Sequence, residues 1–292
     1  MFRSLMVLLL APALLPAPVR SMGAAALTPA QRQTLALQVR LDRAHFSPGE
    51  IDARGGSNTR AAQAAFAAAG LTPDSTPATI AYTITEADVA GPYAEVPEDM
   101  MEQSKLPALA YASILEALGE RFHASPALLT QLNPQAKFAA GEQIEVPNVG
   151  REPLAGVAKV IVDQSDRAVL AQDAAGKVLA RYPATMGSEH DPLPVGDWKI
   201  TGKSDNPVFN YNPDLFWDAD LAHSKAKIAA GPNNPVGLVW IDLSKEHYGI
   251  HGTPRPENVG KTQSHGCIRL TNWDAVELGA AVKAGMPAVL QE

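Results

Sequence analysis

The sequence predicts a multidomain α+β chain: a small helical N-terminal domain, a β-α-α-β module, and a C-terminal, mainly antiparallel β-sandwich with a terminal helix. Three observations predict it. Apolar residues recur at helical spacing before Leu71 and again between Ser113 and Asn133. From Val157 onward β-branched runs dominate with no ten-residue helical pattern between them, which favours antiparallel pairing. The stretch from Asn272 to Gly285 then carries helix start and stop signals.

Taken in order, residues 1–26 read as a signal peptide: a basic start at Arg3, an apolar run from Leu5 to Leu15, and small residues from Gly23 to Ala26. The run is too short and Pro-rich to span a membrane, so no transmembrane segment is expected in the mature protein. Export to the periplasm or cell wall follows. Residues 27–71 form the helical domain. Thr28-Pro29-Ala30-Gln31 has capping-box spacing, Ser47-Pro48-Gly49-Glu50 breaks the first helix after Arg43, and Asn58 is expected to cap a second helix ended by Gly70. Residues 72–106, rich in Pro, Thr and acids, read as a partly extended linker. Residues 107–150 hold two short helices, begun by Ser113 and by Ser125-Pro126, and a strand over Gln143 to Pro147. Residues 151–292 are the β-rich domain. Its expected strands are Val157–Val162, Val169–Ala171, Trp198–Thr201 and Val236–Ile241, and Asn272 is expected to cap the last helix.

The formal charge is −7, and −9 without residues 1–26, which carry Arg3 and Arg20 and no acid. An acidic surface argues against nucleic acid and anionic membranes as partners. The chain has one cysteine, Cys267, within Ser264-His265-Gly266-Cys267-Ile268-Arg269-Leu270, and a second His-Gly pair lies sixteen residues upstream at His251-Gly252. In an exported chain an unpaired cysteine marks a reactive thiol. A free thiol titrates near ~8.5 and needs a base within reach, a group that fixes the base's tautomer, and N–H donors for an oxyanion. This segment holds a candidate for each. Zinc held by His251, His265 and Cys267 is a weaker reading, since no fourth ligand is evident and His-Gly-Cys would have to bend sharply. No metal and no cofactor is therefore expected.

Three segments resemble known families. Phe46–Asp52 with Asn58-Thr59, Ala65-Phe66 and Gly70-Leu71 is similar to the small helical peptidoglycan-binding domain; a structural spacer fits the same residues. Glu120–Pro134 with Phe138 to Asn148 resembles a lysin-motif (LysM) module, which implies affinity for glycan strands, or a module that has kept the fold and lost the groove. Tyr248–Thr253 followed by Ser264–Leu270 resembles the catalytic signature of L,D-transpeptidases of the YkuD type, as do Gly187, Pro194-Val195-Gly196 and Gly231–Pro235.

The last resemblance implies a cysteine acyltransferase of cell-wall biogenesis that forms 3→3 cross-links in peptidoglycan and reacts with carbapenems. Cys267 would be the nucleophile and His251 the general acid/base, with the Gly252 carbonyl orienting His251 and His265 and Gly266 in the oxyanion region. Tyr248, Ser264 and Arg269 would contact substrate, with Ser264 also supporting the loop. Arg269 could instead anchor the last strand through an ion pair, and Tyr248 could simply pack. Partners would be stem peptides and glycan strands, and a wall-attached lipoprotein if its lysine is the acceptor. An L,D-carboxypeptidase and a lipoprotein-attachment enzyme share the thioester. A non-catalytic wall-binding protein is the alternative of another class.

Overall fold

The computed structural model describes residues 26–292. The expected signal peptide lies outside the described residues except for Ala26. Among the described residues no helix is long and apolar enough to cross a membrane.

Helix α1 (Pro29–Arg43) begins as its sequence dictates. Thr28 Oγ1 accepts from the Gln31 N–H at 3.3 Å, and the Gln31 side chain accepts from the Thr28 N–H at 2.9 Å. Leu35 and Val39, one turn apart, turn inward. Helix α2 (Ser57–Ala68) starts two residues earlier than expected, capped by Gly56 rather than Asn58. The Asn58 amide is committed elsewhere: its Nδ2 donates to the Val259 carbonyl at 2.9 Å and ties the helix to the C-terminal domain. Phe46 and Phe66 meet edge-on between the helices at 5.8 Å.

Strand β1 (Thr79–Thr83) lies in the segment expected to be linker and pairs antiparallel with β2 (Gln143–Pro147), Thr79 opposite Pro147. The β-α-α-β unit therefore runs from β1 through α5 (Ile114–Arg121) and α6 (Pro126–Leu132) to β2, and does not begin at residue 107. Strand β1 carries no alternating pattern because Ile80 and Ala81 both face solvent at the sheet edge. Between β1 and α5 lie two single-turn helices, α3 (Glu86–Val89) and α4 (Met100–Gln103). Leu35, Val39 and Ile51 share one core with Leu118, Leu129 and Val146, so the helical segment and this unit pack as one body.

In the C-terminal domain eight strands form one sheet in the order β11-β10-β9-β6-β12-β3-β4-β5. They are β3 (Lys159–Asp163), β4 (Ala168–Gln172), β5 (Val178–Pro183), β6 (Gly196–Asp205), β9 (Val239–Leu243), β10 (Gly249–His251), β11 (Ile268–Arg269) and β12 (Pro287–Gln291). A separate ribbon, β7 (Phe209–Tyr211) with β8 (Ala226–Ile228), stands outside it. Strand β6 pairs with β12 through its first half and with β9 through its second, across a register shift between Ile200 and Gly202. The sheet folds over there, so Val160 and Val169 of one half share a core with Ile241 and Ile250 of the other. Thr185 and Arg269 exchange backbone hydrogen bonds of 3.0 and 2.8 Å between the two ends, closing a sandwich-like shape. Pairing is mainly antiparallel, with β12–β3 and β10–β11 parallel.

Helix α7 (Asn272–Ala281) departs from expectation at its cap. Thr271 caps it, accepting from the Asp274 N–H at 3.2 Å, because Asn272 is used on neighbouring loops. It is the last helix of the chain, as expected, and β12 follows it into the middle of the sheet.

Buried charges join the domains. Asp42, fully buried on α1, receives His123 Nδ1 at 3.0 Å and Arg151 at 3.2 Å. Arg151 also reaches Glu277 of α7 at 2.7 Å, and Glu277 takes the Tyr182 hydroxyl at 2.8 Å. Burial alone would push the Asp42 carboxyl up, but Arg151 and His123 hold it below the usual range. In three neighbours the opposing charges and hydrogen bonds do not outweigh burial. Burial, reinforced by nearby carboxylates, pushes Glu50 and Asp274 up to about 7, and burial pushes Glu120 up to about 8. A carboxyl raised in the fold stabilises it fully below its unfolded value and loses that contribution as pH rises through the folded value. The melting temperature therefore falls from pH 6.5 to 8.5, by several degrees, and Glu120→Gln flattens the fall. A thermal melt series that rises over this window in the wild-type protein contradicts the assignment.

Candidate active site

Strands β9, β10 and β11 build the floor. Ile250 pairs with Ile268 in parallel register, and both are fully buried in the sandwich core. Side chains alternate across a strand. His251 and Arg269, the next pair in register, therefore project from the opposite face, together with Gly249 and Cys267 two residues before them. On β9, Trp240 lies opposite His251, and the two rings stack at 5.3 Å and 20°.

His251 is 3 % exposed. Its Nδ1 lies 2.6 Å from the Gly252 carbonyl, which can only accept, so Nδ1 carries the proton and Nε2 is left with a free lone pair. Burial, and then the charge of Arg269, lowers its pKa to about 3 despite that hydrogen bond. The ring is neutral at physiological pH. Gly252 is tightly placed: a Cβ there would lie 2.2 Å from Asn272 Oδ1. Asn272 in turn accepts from the Leu238 N–H at 3.1 Å and donates to the Pro232 carbonyl at 3.1 Å, which fixes the carbonyl that orients His251.

Cys267 is partly buried and free. Burial pushes its thiol up, and a hydrogen bond from the Gly249 N–H and then the Arg269 guanidinium pull it part of the way back. The resting pair is thus a neutral thiol beside a neutral imidazole. The thiol points at the His247 carbonyl, 3.7 Å away, rather than at His251. Gly266, with φ +94°, holds the turn before Cys267 in a conformation that glycine adopts freely, and a Cβ there would meet the Tyr248 ring at 2.8 Å. Among the described residues the N–H groups of Gly266 and Cys267 have no acceptor. They remain available to an oxyanion.

The remaining expected residues divide. Tyr248 is half-buried and packed on the sandwich core as well as on Gly266. Ser264, expected to contact substrate, is buried, and its hydroxyl donates to the Cys267 carbonyl at 2.6 Å, so it braces the loop instead. Arg269 makes no ion pair among the described residues, although burial depresses its pKa, which leaves the anchoring alternative without a partner. His265 does not face a substrate alone. Its Nε2 bonds Asp218 Oδ1 at 2.7 Å, and its ring packs on Phe216 at 5.2 Å and Trp217 at 5.8 Å. All three residues belong to the 212–225 loop between β7 and β8, which covers the site.

Trp240, Asn272, Asp218 and Asp191, whose charge acts on the Cys267 thiol, are the site residues that sequence reasoning missed. Trp240 stood in an expected strand and Asn272 in an expected cap, but nothing in sequence marks Asp218 or Asp191. His190 and His223 both have side-chain partners near the loop. His190 stacks on Trp217 at 4.4 Å, while His223 bonds Asp99 and Tyr211, each at 2.9 Å.

A family model described as YkuD, the L,D-transpeptidase catalytic domain, matches residues 158–290. The L,D-transpeptidase-family protein YkuD of Bacillus subtilis strain 168 is 31 % identical over 173 residues, covering 59 % of this chain and 89 % of that one. YqjB of the same strain, named for the same activity, is 33 % identical over 152 residues, 49 % of this chain and 77 % of that one. Among solved structures, L,D-transpeptidase 3 from Mycobacterium tuberculosis is 18 % identical with a TM-score of 0.39, over 52 % of this chain and 75 % of that one.

Proposed function

The chain belongs to the YkuD family of L,D-transpeptidases, and from that premise we propose that it forms 3→3 peptidoglycan cross-links through a thioester on Cys267. The observation that carries the reading is the His251 tautomer: Gly252 holds Nδ1–H and leaves Nε2 free, on the strand that pairs with the one Cys267 leads into. The reading requires the Cys267 side chain to turn from the His247 carbonyl toward Nε2.

The sulfur attacks the carbonyl of the L-centred bond between the third and fourth residues of a stem peptide, and the thiol proton passes to His251 Nε2. The Gly266 and Cys267 N–H groups receive the oxyanion. The C–N bond breaks, His251 returns the proton to the departing amine, and D-Ala leaves. An amine from a neighbouring stem then attacks the thioester and gives one proton to His251. As the C–S bond breaks, that proton restores the thiol. Arg269, charged and unpaired beside the sulfur, binds the carboxylate of the fourth residue.

The remaining site residues hold these groups in place: Ser264 and Tyr248 set the turn, and His265 is pinned by Asp218. The export signal and the two N-terminal modules complete a wall-directed enzyme, with the modules presenting the catalytic domain to glycan strands.

Incubating the mature protein with purified disaccharide-tetrapeptide and reading products by mass spectrometry tests this. The expected product is a dimer lacking one D-Ala. A tripeptide without dimer makes the protein an L,D-carboxypeptidase, and binding to sacculi with no product makes it a wall-binding protein.

A further inference from the structure

Cys267 lies between two opposite charges that do not pair with each other. On one side is Arg269, two residues along β11, with no ion pair among the described residues. On the other is Asp191. The backbone exchange between Thr185 and Arg269 runs antiparallel, so its continuation sets Gly187 beside Cys267, and the Ser264 N–H donates to the Gly187 carbonyl at 3.1 Å. The chain then turns tightly. The Ser188 N–H donates to the Asp191 carbonyl at 2.9 Å, and the Asp191 N–H to the Ser188 hydroxyl at 3.0 Å. The turn holds Asp191 near the thiol, and its charge pushes the ionisation of both Cys267 and Tyr248 upward. Asp191 Oδ2 is buried and has no hydrogen-bond partner. A buried carboxylate oxygen without a donor is an uncommon and costly arrangement unless something else supplies the donor.

We propose that Asp191 binds the ammonium group of the acyl acceptor, so that a primary amine rather than water takes the acyl chain from Cys267. This rests on the Cys267 thioester proposed above. The chemistry matches on three counts. An ammonium supplies both the missing donor and the missing counter-charge. It brings the acceptor nitrogen to the thioester: the bound ammonium passes one proton to the Asp191 carboxylate, which frees the lone pair that attacks, and the second proton goes to His251 as the amide forms, while Arg269 holds the carboxylate of the donor's leaving residue. And the neighbouring Trp217, 60 % exposed and stacked on His190, offers an aromatic face to an alkyl-ammonium chain entering past the loop. The ligand class is a primary ammonium on an alkyl side chain, carried either by the third residue of a stem peptide or by a protein lysine.

Asp191→Asn tests it. Donor disaccharide-tetrapeptide is held fixed while the acceptor is a disaccharide-tripeptide with a free side-chain amine, a lysine-containing peptide, or hydroxylamine, which is uncharged at neutral pH. Products are read as the ratio of aminolysis to hydrolysis. With the acceptor that the wild-type protein uses, the variant needs at least a tenfold higher half-saturating concentration relative to the donor's. The aminolysis ratio falls with it, Asp191→Glu recovers part of the loss, and the loss is absent with hydroxylamine. Whichever of the two ammonium acceptors responds identifies the source.

An unmoved ratio overturns the proposal. So does a loss that hydroxylamine shares, which reports a disturbed loop, and so does a wild-type protein that hydrolyses only. Absence of any acyl-enzyme on the wild-type protein instead sinks the Cys267 reading beneath it.

Discussion

Cys267→Ala abolishes the mass adduct that a carbapenem leaves on the wild-type protein and lowers turnover by about 10⁴-fold or more. The thiol is the only one in the chain, so no other sulfur can substitute. The exchange removes one partly buried atom and gives up only its weak contacts with the His247 carbonyl and the Gly249 N–H, so the variant folds, and a thermal melt verifies it. Cys267→Ser is expected to be nearly as inactive. A hydroxyl is far harder to deprotonate than a thiol, and an imidazole whose pKa is lowered to about 3 is too weak a base for it. A carbapenem adduct that persists on Cys267→Ala contradicts the nucleophile assignment outright.

His251→Ala lowers the acylation rate by about 10²–10⁴-fold, the range for loss of a positioned general base. The pH profile identifies the cause. In the wild-type protein burial and Arg269 keep His251 neutral down to about pH 3, and burial keeps Cys267 a thiol. The wild-type acylation rate therefore does not fall between pH 7 and 5. Without the base only preformed thiolate reacts, so the variant's rate climbs about tenfold per pH unit below the thiol's own pKa. His265→Ala loses less, because Asp218 and the aromatic loop already occupy that ring. If His265→Ala abolishes acylation while His251→Ala does not, the two histidine roles are exchanged.

The parts of this fold and site that were legible in sequence are those set by local chemistry. Thr28 and Gln31 close a capping box, Ser113 and Ser125 start their helices, and His251-Gly252 and His265-Gly266-Cys267 carry their chemistry within a few residues. What was not legible depends on contacts distant in sequence. Strand β1 carries no alternation because only its pairing with β2, some sixty residues on, makes it a strand. Asn58 and Asn272 have the residue type of a cap, yet each spends its side chain on a loop of another segment. Ser264 was placed against substrate by its neighbourhood in the motif, whereas the bend at Gly266 turns its hydroxyl back onto the Cys267 carbonyl. Asp191 and Asp218 reach the site on loops whose paths no local signal fixes.

The most direct test traps the thioester itself. The wild-type protein is mixed with disaccharide-tetrapeptide, quenched in acid within the first turnover, digested with trypsin at acidic pH and mapped by mass spectrometry. The account predicts that the peptide from Thr262 to Arg269 carries the donor less D-Ala on Cys267, and that the adduct disappears when an amine acceptor is added before the quench. Product formation with that peptide unmodified throughout, or with the acyl group on any other residue, contradicts it.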